Sequence, residues 1–275
     1  MLEIPESLTF ARQLNEKVRG RTIIKAAANS SPHKFAFYNV DPADYGPLLQ
    51  GQTIKESYGY GAIVEIRAGK LCLTVNDGAY PCYYDSAAKA PQKHQLRLEL
   101  DNGSAITVTV QMYGGIHVNK DGKNESVFYL GSKNKPQPMT EGFDRAYFGT
   151  LLKPGWEKLS AKAFLATEQR IPGLGNGVLQ DILFNAGINP KRKMGTLTET
   201  EIDGLYRSII DTLAEMTRLG GRDTERDLYG NNGGYVTILS KNTVGKPCPR
   251  CGTLIEKTAY MGGAVYWCPA CQSLK

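Results

Sequence analysis

The sequence contains no long run of apolar residues. No stretch approaches the roughly 18–20 consecutive apolar residues that a membrane-spanning helix requires, so we do not expect an integral membrane protein. The first residues, MLEIPESLTFARQ, carry an early pair of glutamates and no apolar core, which is not the pattern of a secretory signal. We therefore expect a cytoplasmic protein, associated with the nucleoid if the source is prokaryotic, that has no membrane partner.

Histidine is scarce, and charge of neither sign dominates. The three histidines, His33, His94 and His117, are far apart and have no metal-binding spacing. The 275 residues include 33 Lys+Arg and 27 Asp+Glu, a formal net charge of +6. An excess of this size permits a polyanionic partner without requiring one. We expect no organic cofactor.

Cysteine is sparse in most of the chain and concentrated near its end. Cys248, Cys251, Cys268 and Cys271 form two CxxC pairs separated by 16 residues, a spacing typical of zinc sites. Two such pairs complete a tetrahedron of thiolates around one ion and leave no position open for substrate. The sequence therefore predicts one structural Zn²⁺ per chain, held in a zinc ribbon.

The N-terminal half predicts one helix followed by strands. Apolar residues recur at helical spacing between Pro5 and Val18, and Gly20 follows as a stop signal. Five β-rich runs follow before residue 120: TIIKAAA, GAIVEI, KLCLTV, QLRLEL and AITVTVQMY. The segments Arg67-Ala-Gly69 and Asp101-Asn-Gly103 lie between such runs as hairpin loops. Several short strands at this spacing predict a β-sandwich or a barrel.

Helical signals dominate the next part of the chain. Ser160 is placed to cap a helix that continues through Glu168. Thr198 and Glu201 have capping-box spacing and precede an apolar series at helical spacing. Residues 221–247 are rich in Gly and Asn and predict a long loop.

These patterns predict an α+β, multidomain fold. Residues 1–138 are expected to form an N-terminal catalytic-type β-sandwich domain with a leading helix. This domain ends in a segment, 122–138, that is rich in Lys, Asn, Ser, Gly and Pro and resembles the approach to a linker. Residues 139–240 are expected to form a helical domain, and residues 241–275 the zinc finger.

A second motif, Gly173-Leu-Gly175-Asn176-Gly177, lies between two helical stretches. A glycine-rich turn that opens a helix can expose backbone N–H groups to an anion such as phosphate. A turn between two packed helices would have the same composition without binding anything. The motif gains weight from Asn185-Ala-Gly187-Ile-Asn189-Pro190, which forms a second turn at the end of the same helix.

Three segments together resemble the formamidopyrimidine-DNA glycosylase and endonuclease VIII family. The segment FLATEQRIPGLGNGVLQDILFNAGINP is similar to the helix-two-turns-helix of that family, and the two cysteine pairs are similar to its zinc finger. The opening Glu3-Ile-Pro5-Glu6 resembles the Pro-Glu-Leu-Pro-Glu with which the family begins. The segments occur in the family's order and span nearly the whole chain.

The resemblance implies base-excision repair of double-stranded DNA by a monomer that acts on damaged or abasic sites. In the family, an N-terminal amine attacks C1′ of an everted nucleotide, forms a Schiff base and nicks the strand. Glu3 would be the acid/base that assists sugar-ring opening, and Glu6 would support the surroundings of the amine. Asn176 would bind phosphate together with backbone N–H groups of its turn. The complete set of implied DNA contacts is Lys162, Gly173, Gly175, Asn176 and Tyr235.

The sequence departs from the family at its nucleophile. Leu2 stands where the family has proline, so Met1 is expected to be retained and to supply a primary amine. A lysine of the family aligns near Tyr60, and an arginine of its zinc finger near Gly263. Three functions therefore stay open: a glycosylase/lyase that uses Met1 or, after processing, Leu2; a binder of damaged DNA that kept the scaffold and lost the chemistry; and an RNA- or protein-binding zinc-ribbon module.

Two further segments have alternative interpretations. Met112 and Tyr113, predicted at a hairpin tip, could wedge into the base stack or belong to the core. Pro190-Lys-Arg-Lys193 could bind phosphate or form a solvated charged face.

Overall fold

The computed structural model describes residues 1–274. It begins with helix α1 (Ile4–Val18), which agrees with the predicted first helix. Two β-sheets and a short helix, α2 (Tyr45–Leu49), follow. The strands are β1 (Ile23–Ala28), β2 (Ala36–Tyr38), β3 (Ile54–Tyr60), β4 (Ile63–Ala68), β5 (Leu71–Asn76), β6 (Ala79–Tyr84), β7 (Leu96–Leu100), β8 (Ala105–Val110) and β9 (Gly114–Lys120).

The two sheets have the orders β1-β7-β8-β6 and β2-β9-β5-β4-β3. Their strands pair antiparallel except β2 and β9, which are parallel. The five predicted runs correspond to β1, β4, β5, β7 and β8. The sequence did not reveal β6, because Pro81 interrupts its pattern; β6 tolerates a proline because it lies at a sheet edge.

Both predicted hairpin loops are confirmed. Gly69 joins β4 to β5 with φ +59°, and Gly103 joins β7 to β8 with φ +80°, a region of backbone space that favours glycine. Helix α1 buries Phe10, Leu14 and Val18 in the core of the sandwich. The first residues of the chain divide between two cores, because Leu2 packs in the sandwich and Ile4, the first residue of α1, packs among the helices. The chain start therefore lies where the two halves of the molecule meet.

The second half of the chain is helical, as predicted. Its helices are α3 (Val127–Asn134), α4 (Arg145–Thr150), α5 (Ala161–Ala166), α6 (Val178–Asn185) and α7 (Glu199–Arg218). Ser160 caps α5 by accepting a hydrogen bond from the Ala163 N–H. Thr198 and Glu201 form the predicted capping box of α7.

Two local predictions were wrong. Helix α5 ends before Glu168, because Glu168 and Gln169 have φ values of +59° and +47° and cannot continue a right-handed helix. The segment expected to approach a linker contains α3, which Ser126 caps by accepting a hydrogen bond from the Tyr129 N–H. The domain boundaries at residues 138 and 240 stay a prediction.

After α7 the chain runs to residue 255 without a helix or a strand, in agreement with the predicted loop, apart from isolated bridges such as Arg222 with Tyr235. A hairpin of β10 (Glu256–Tyr260) and β11 (Gly263–Trp267) then forms the ribbon. Within residues 1–274, no helix combines the length and apolar character needed to cross a bilayer.

Candidate active site

A cleft of about 520 Å³ opens between the start of the chain, the turn before α6 and the tip of the β10–β11 hairpin. Most of the residues proposed from the sequence line it: Met1, Leu2, Glu3, Lys162, Gly173, Gly175 and Asn176. Segments far apart in sequence thus meet at one place, as the resemblance implied.

Glu3 is anchored at the start of α6. Its carboxylate oxygens accept hydrogen bonds from the Gly177 N–H at 2.8 Å and the Val178 N–H at 2.7 Å. A Cβ on Gly175 would lie 2.6 Å from Glu3 Oε1, so the glycine permits this approach. Burial raises the pKa of Glu3, although the neighbouring Arg222 guanidinium opposes the shift. These two N–H groups are thus occupied by a side chain of the protein, and phosphate binding by Asn176 and the rest of its turn stays a prediction.

Arg222 lies behind Glu3 and was not identified from the sequence. Its Nε and Nη2 donate to the two oxygens of Glu6 at 2.9 and 2.8 Å, and its Nη1 lies 3.6 Å from Glu3 Oε2. Only 3% of its side chain is exposed. Burial alone would raise the pKa of Glu6, but the guanidinium outweighs burial and lowers it. Glu6 therefore stays ionised, close to Glu3.

The N-terminal amine of Met1 is held by an acidic side chain from the 221–247 loop. It donates to both carboxylate oxygens of Glu225 at 3.1 Å. The Tyr80 hydroxyl donates to the same carboxylate at 2.7 Å. Leu2 is buried, and its N–H donates to the Asp77 carbonyl oxygen at 2.7 Å. Leu2, which stands where the family has proline, is thus buried in the apolar core, and the Met1 amine lies one residue before it.

Lys162 and Asn176 face the tip of the hairpin. Lys162 Nζ donates to the Tyr260 carbonyl oxygen at 2.6 Å, and Asn176 Nδ2 donates to the Ala264 carbonyl oxygen at 3.0 Å. Burial lowers the pKa of Lys162. A Cβ on Gly263 would lie 3.4 Å from Lys162 Nζ and 3.5 Å from the Asn176 amide. Gly263, the position that the resemblance aligns with the zinc-finger arginine of the family, is therefore beside Lys162 and Asn176.

Other predicted residues lie at the rim or elsewhere. Met112 and Tyr113 are 71% and 40% exposed, which excludes a core role, and Tyr113 lines the cleft. Tyr235 is 8% exposed, packs in the helical core, and is absent from the cleft lining. Arg192 is also unavailable as a surface cation, because it is 7% exposed and forms a bidentate pair with Glu201.

The four C-terminal cysteines converge as predicted, since their sulfurs all lie within 4.8 Å of one another. The Cys248–Cys271 and Cys251–Cys268 sulfur separations are 3.9 and 3.4 Å. Zn–S bonds of about 2.3 Å in a tetrahedron place sulfurs about 3.8 Å apart. The cluster therefore has the size of a tetrahedral metal site.

Two residues of this site, Arg222 and Glu225, were not predicted, and the sequence pattern that points to them is weak. Arg222 and Glu225 lie in the run Gly221-Arg-Asp-Thr-Glu-Arg-Asp227, the only concentrated charge in a loop otherwise rich in Gly and Asn. Charges in such a loop are usually solvated, so their burial against the chain start could not be inferred from spacing.

Comparison with known proteins places this arrangement in a family. Residues 135–227 match the model of the formamidopyrimidine-DNA glycosylase H2TH domain. The chain is 30% identical to the formamidopyrimidine-DNA glycosylase of Chloroflexus aggregans, over 100% of this chain and 99% of that protein. It is 31% identical to that of Prochlorococcus marinus strain MIT 9211, over 99% and 100%.

Solved structures show the same likeness. The Lactococcus lactis Fpg, solved as a complex with abasic-site DNA, superposes with a TM-score of 0.81 at 26% identity, covering 98% of this chain and 99% of that one. The MutM (Fpg) protein of Thermus thermophilus gives 0.81 at 25% identity, with 99% of each chain covered. The chain therefore belongs to the formamidopyrimidine-DNA glycosylase family of base-excision-repair enzymes.

Proposed function

We propose that this protein is a DNA glycosylase with abasic-site lyase activity, in which the Met1 amine forms the Schiff base. The observation that carries the proposal is that the amine and the Glu3 carboxyl line one cleft with Lys162 and Asn176. A nucleophile and an acid/base group in the same cleft are what covalent catalysis at a sugar carbon requires.

Glu3 is suited to donate a proton. Its raised pKa means that its carboxyl keeps a proton to higher pH than an ordinary glutamic acid does. Its two N–H contacts at the start of α6 fix its orientation. In the proposed reaction the amine displaces the damaged base at C1′, and Glu3 protonates O4′ as the sugar ring opens. The resulting imine then permits elimination of the 3′-phosphate and strand cleavage.

The substrate is proposed to be double-stranded DNA with a damaged or abasic site, bound by one copy of the chain. Lys162 and Asn176 would contact backbone phosphate on the side of the cleft that the hairpin covers. Each is already held by a hairpin carbonyl, so the hairpin determines where the two groups point. Met112 and Tyr113, exposed at the turn between β8 and β9, are proposed to contact the bases.

A zinc ion fits the cysteine cluster and would be structural. Cys248, Cys251, Cys268 and Cys271 supply four thiolates, which is the closed coordination of a structural site. The ion would fix the ribbon that carries β10 and β11. Through that ribbon the four cysteines support Lys162 and Asn176 without touching substrate.

Borohydride trapping on abasic-site DNA tests this function. The expected result is a covalent protein–DNA adduct that forms in single turnover, and a loss of at least about 100-fold in trapping rate for Glu3→Gln. Glu16→Gln, on the exposed face of α1, serves as the control. Tight, salt-dependent binding of the same DNA without any adduct would refute the lyase and establish the non-enzymatic binder.

A further inference from the structure

Glu225 contacts the Met1 amine, which lines the cleft, and the reaction proposed above assigns no role to this contact. The carboxylate of Glu225 is 19% exposed and contacts the amine with both oxygens. The Tyr80 hydroxyl holds one of those oxygens. Both side chains also line a second cavity, of about 390 Å³.

The loop that carries Glu225 is fixed on both sides of it. Arg222, three residues earlier, binds Glu6 at the start of α1. Asp227, two residues later, accepts a hydrogen bond from Gln13 on the same helix. Leu228 is buried in the sandwich core. Glu225 therefore has a defined position relative to the chain start, and its contact with the amine is not that of a freely moving surface side chain.

Within residues 1–274, the other ionisable side chains around the amine make no direct contact with it. Glu3, at the chain start, binds two N–H groups of α6, and Glu6 is paired with Arg222 from the loop. The Asp77 backbone carbonyl, in the turn between β5 and β6, accepts a hydrogen bond from the Leu2 N–H. The Asp77 carboxyl lines the cleft and is attracted by the amine without touching it, which opposes the rise in its pKa caused by burial. Tyr80, on β6, donates to Glu225. Within residues 1–274, Glu225 is the acidic side chain that contacts the amine.

A Schiff-base nucleophile must lose protons that a protonated amine carries. We propose that Glu225 is the proton acceptor and positioning group of the Met1 amine, an inference that rests on the function proposed above. One proton passes from the ammonium to a Glu225 oxygen, and the freed nitrogen lone pair forms the bond to C1′. The C1′–base bond breaks, and the base leaves with its bonding pair and takes a proton from solvent.

Glu225 also acts in the second half of the reaction, together with Glu3. After Glu225 has released the first proton to solvent, it accepts a second from the nitrogen that is now bonded to C1′. The nitrogen lone pair then forms the C=N bond while the C1′–O4′ bond breaks, and the proton of Glu3 goes to O4′. One hydrogen stays on the nitrogen of the resulting iminium. No oxidant, reductant or further reactant is needed.

The same contact explains how a primary amine can serve where the family has a proline. A proline ring fixes its nitrogen, whereas the Met1 nitrogen could rotate about the bonds that precede Leu2. The bidentate contact with Glu225 restricts that rotation, and a misplaced nucleophile would lose orders of magnitude in rate. Tyr80 orients Glu225 and is therefore a positioning residue.

The test is the single-turnover trapping rate on abasic-site DNA between pH 6 and pH 9. Glu225→Gln keeps the shape of the side chain and removes the proton acceptor. We expect its rate at pH 7 to fall by about 100-fold to 1,000-fold and to recover toward the parent rate at pH 9, where hydroxide removes the proton. Tyr80→Phe should lose about 3-fold to 10-fold with an unchanged pH profile, since one hydrogen bond that orients the carboxylate is lost while the proton acceptor itself remains. Glu16→Gln is the matched control, and thermal unfolding and DNA affinity are measured for every variant.

Each outcome bears on a different claim. A parent protein that gives no adduct at any pH refutes the proposed function together with this inference. A parent that is trapped while Glu225→Gln is trapped equally fast or faster at pH 7 overturns the inference alone, because the carboxylate would then only hold the amine in its charged form. A loss that is the same at every pH overturns the role of proton acceptor.

Discussion

Removal of the Arg222 guanidinium should cost this protein much of its stability, by an amount that depends on pH. Arg222 makes two charge-assisted hydrogen bonds to Glu6, at 2.9 and 2.8 Å, and lies 3.6 Å from Glu3. Its side chain is 3% exposed and that of Glu6 is 2% exposed. Each such hydrogen bond contributes about 1.5–3 kcal/mol. Breaking a buried pair from one side costs about 3–5 kcal/mol, because the remaining charge is left without a partner. Arg222→Met should therefore lower the free energy of unfolding by about 3–5 kcal/mol at pH 7.

The pH dependence follows from the pKa of Glu6. In the parent protein this pKa is held below its ordinary value of 4.5, so the stabilisation is present above pH 4.5 and is lost as the pH falls through the lowered value. In Arg222→Met the guanidinium no longer opposes burial, so burial raises the pKa of Glu6 against the weaker influence of the backbone N–H of residue 222 and the N-terminal amine. Protonation then relieves the buried charge as the pH falls, and the difference between the two proteins should shrink between pH 7 and pH 4.

Urea unfolding at pH 7, 5.5 and 4 measures this difference. Arg218→Met is the matched control, because Arg218 and Glu215 form an exposed pair, and exposed ion pairs contribute little to stability. The double variant Arg222→Met with Glu6→Gln should regain about 1–3 kcal/mol at pH 7. If Arg222→Met lowers the free energy of unfolding no more than Arg218→Met does, or lowers it equally at all three pH values, the buried pair does not have the stabilising role described here.

Three further predictions concern the metal, the DNA contact and the last long helix. Cys248→Ser should lower the bound zinc from one equivalent per chain and weaken DNA binding, as measured by metal analysis and fluorescence anisotropy; full zinc content in the variant would contradict the proposed ligand set. Lys162→Met should weaken DNA binding and reduce the slope of log K against log salt by about 1, whereas Lys55→Met, which lines a different pocket, should not change the slope. The side-chain hydrogen bond from Arg192 lowers the pKa of Glu201 to about 2. The stabilisation from Glu201 is therefore present above pH 4.5 and is lost as the pH falls through about 2. Glu201→Gln should cost about 1 kcal/mol at pH 7 and much less at pH 2 in chemical unfolding. An equal cost at both pH values would contradict this origin.

The parts of the fold that were predictable are those in which local chemistry determines structure. Strict alternation predicted β7, and Asn-Gly at 102–103 predicted the loop that follows it. The cysteine spacing predicted a cluster whose sulfurs do converge. Ser160 and Thr198 predicted helix starts because each satisfies a free N–H of the first turn.

The parts that were not predictable depend on contacts between distant segments. Pro81 argues against a strand unless the strand lies at a sheet edge, and that position is a property of the whole sheet. Gly175 and Asn176 indicated an anion site, but only the fold shows that the Glu3 carboxylate occupies the neighbouring N–H groups. The contacts of Arg222 and Glu225 join residues more than 200 positions apart in the chain.

The site of the covalent bond shows whether the N-terminal amine is the nucleophile. The borohydride-trapped adduct is digested, and the peptide that carries the sugar remnant is identified by mass spectrometry, with the intact mass of the free protein measured alongside. We expect Met1 to be present in the free protein and the sugar remnant to be bonded to its α-nitrogen. A remnant on a lysine side chain, or an adduct that forms equally well after the amine has been acetylated, would contradict it.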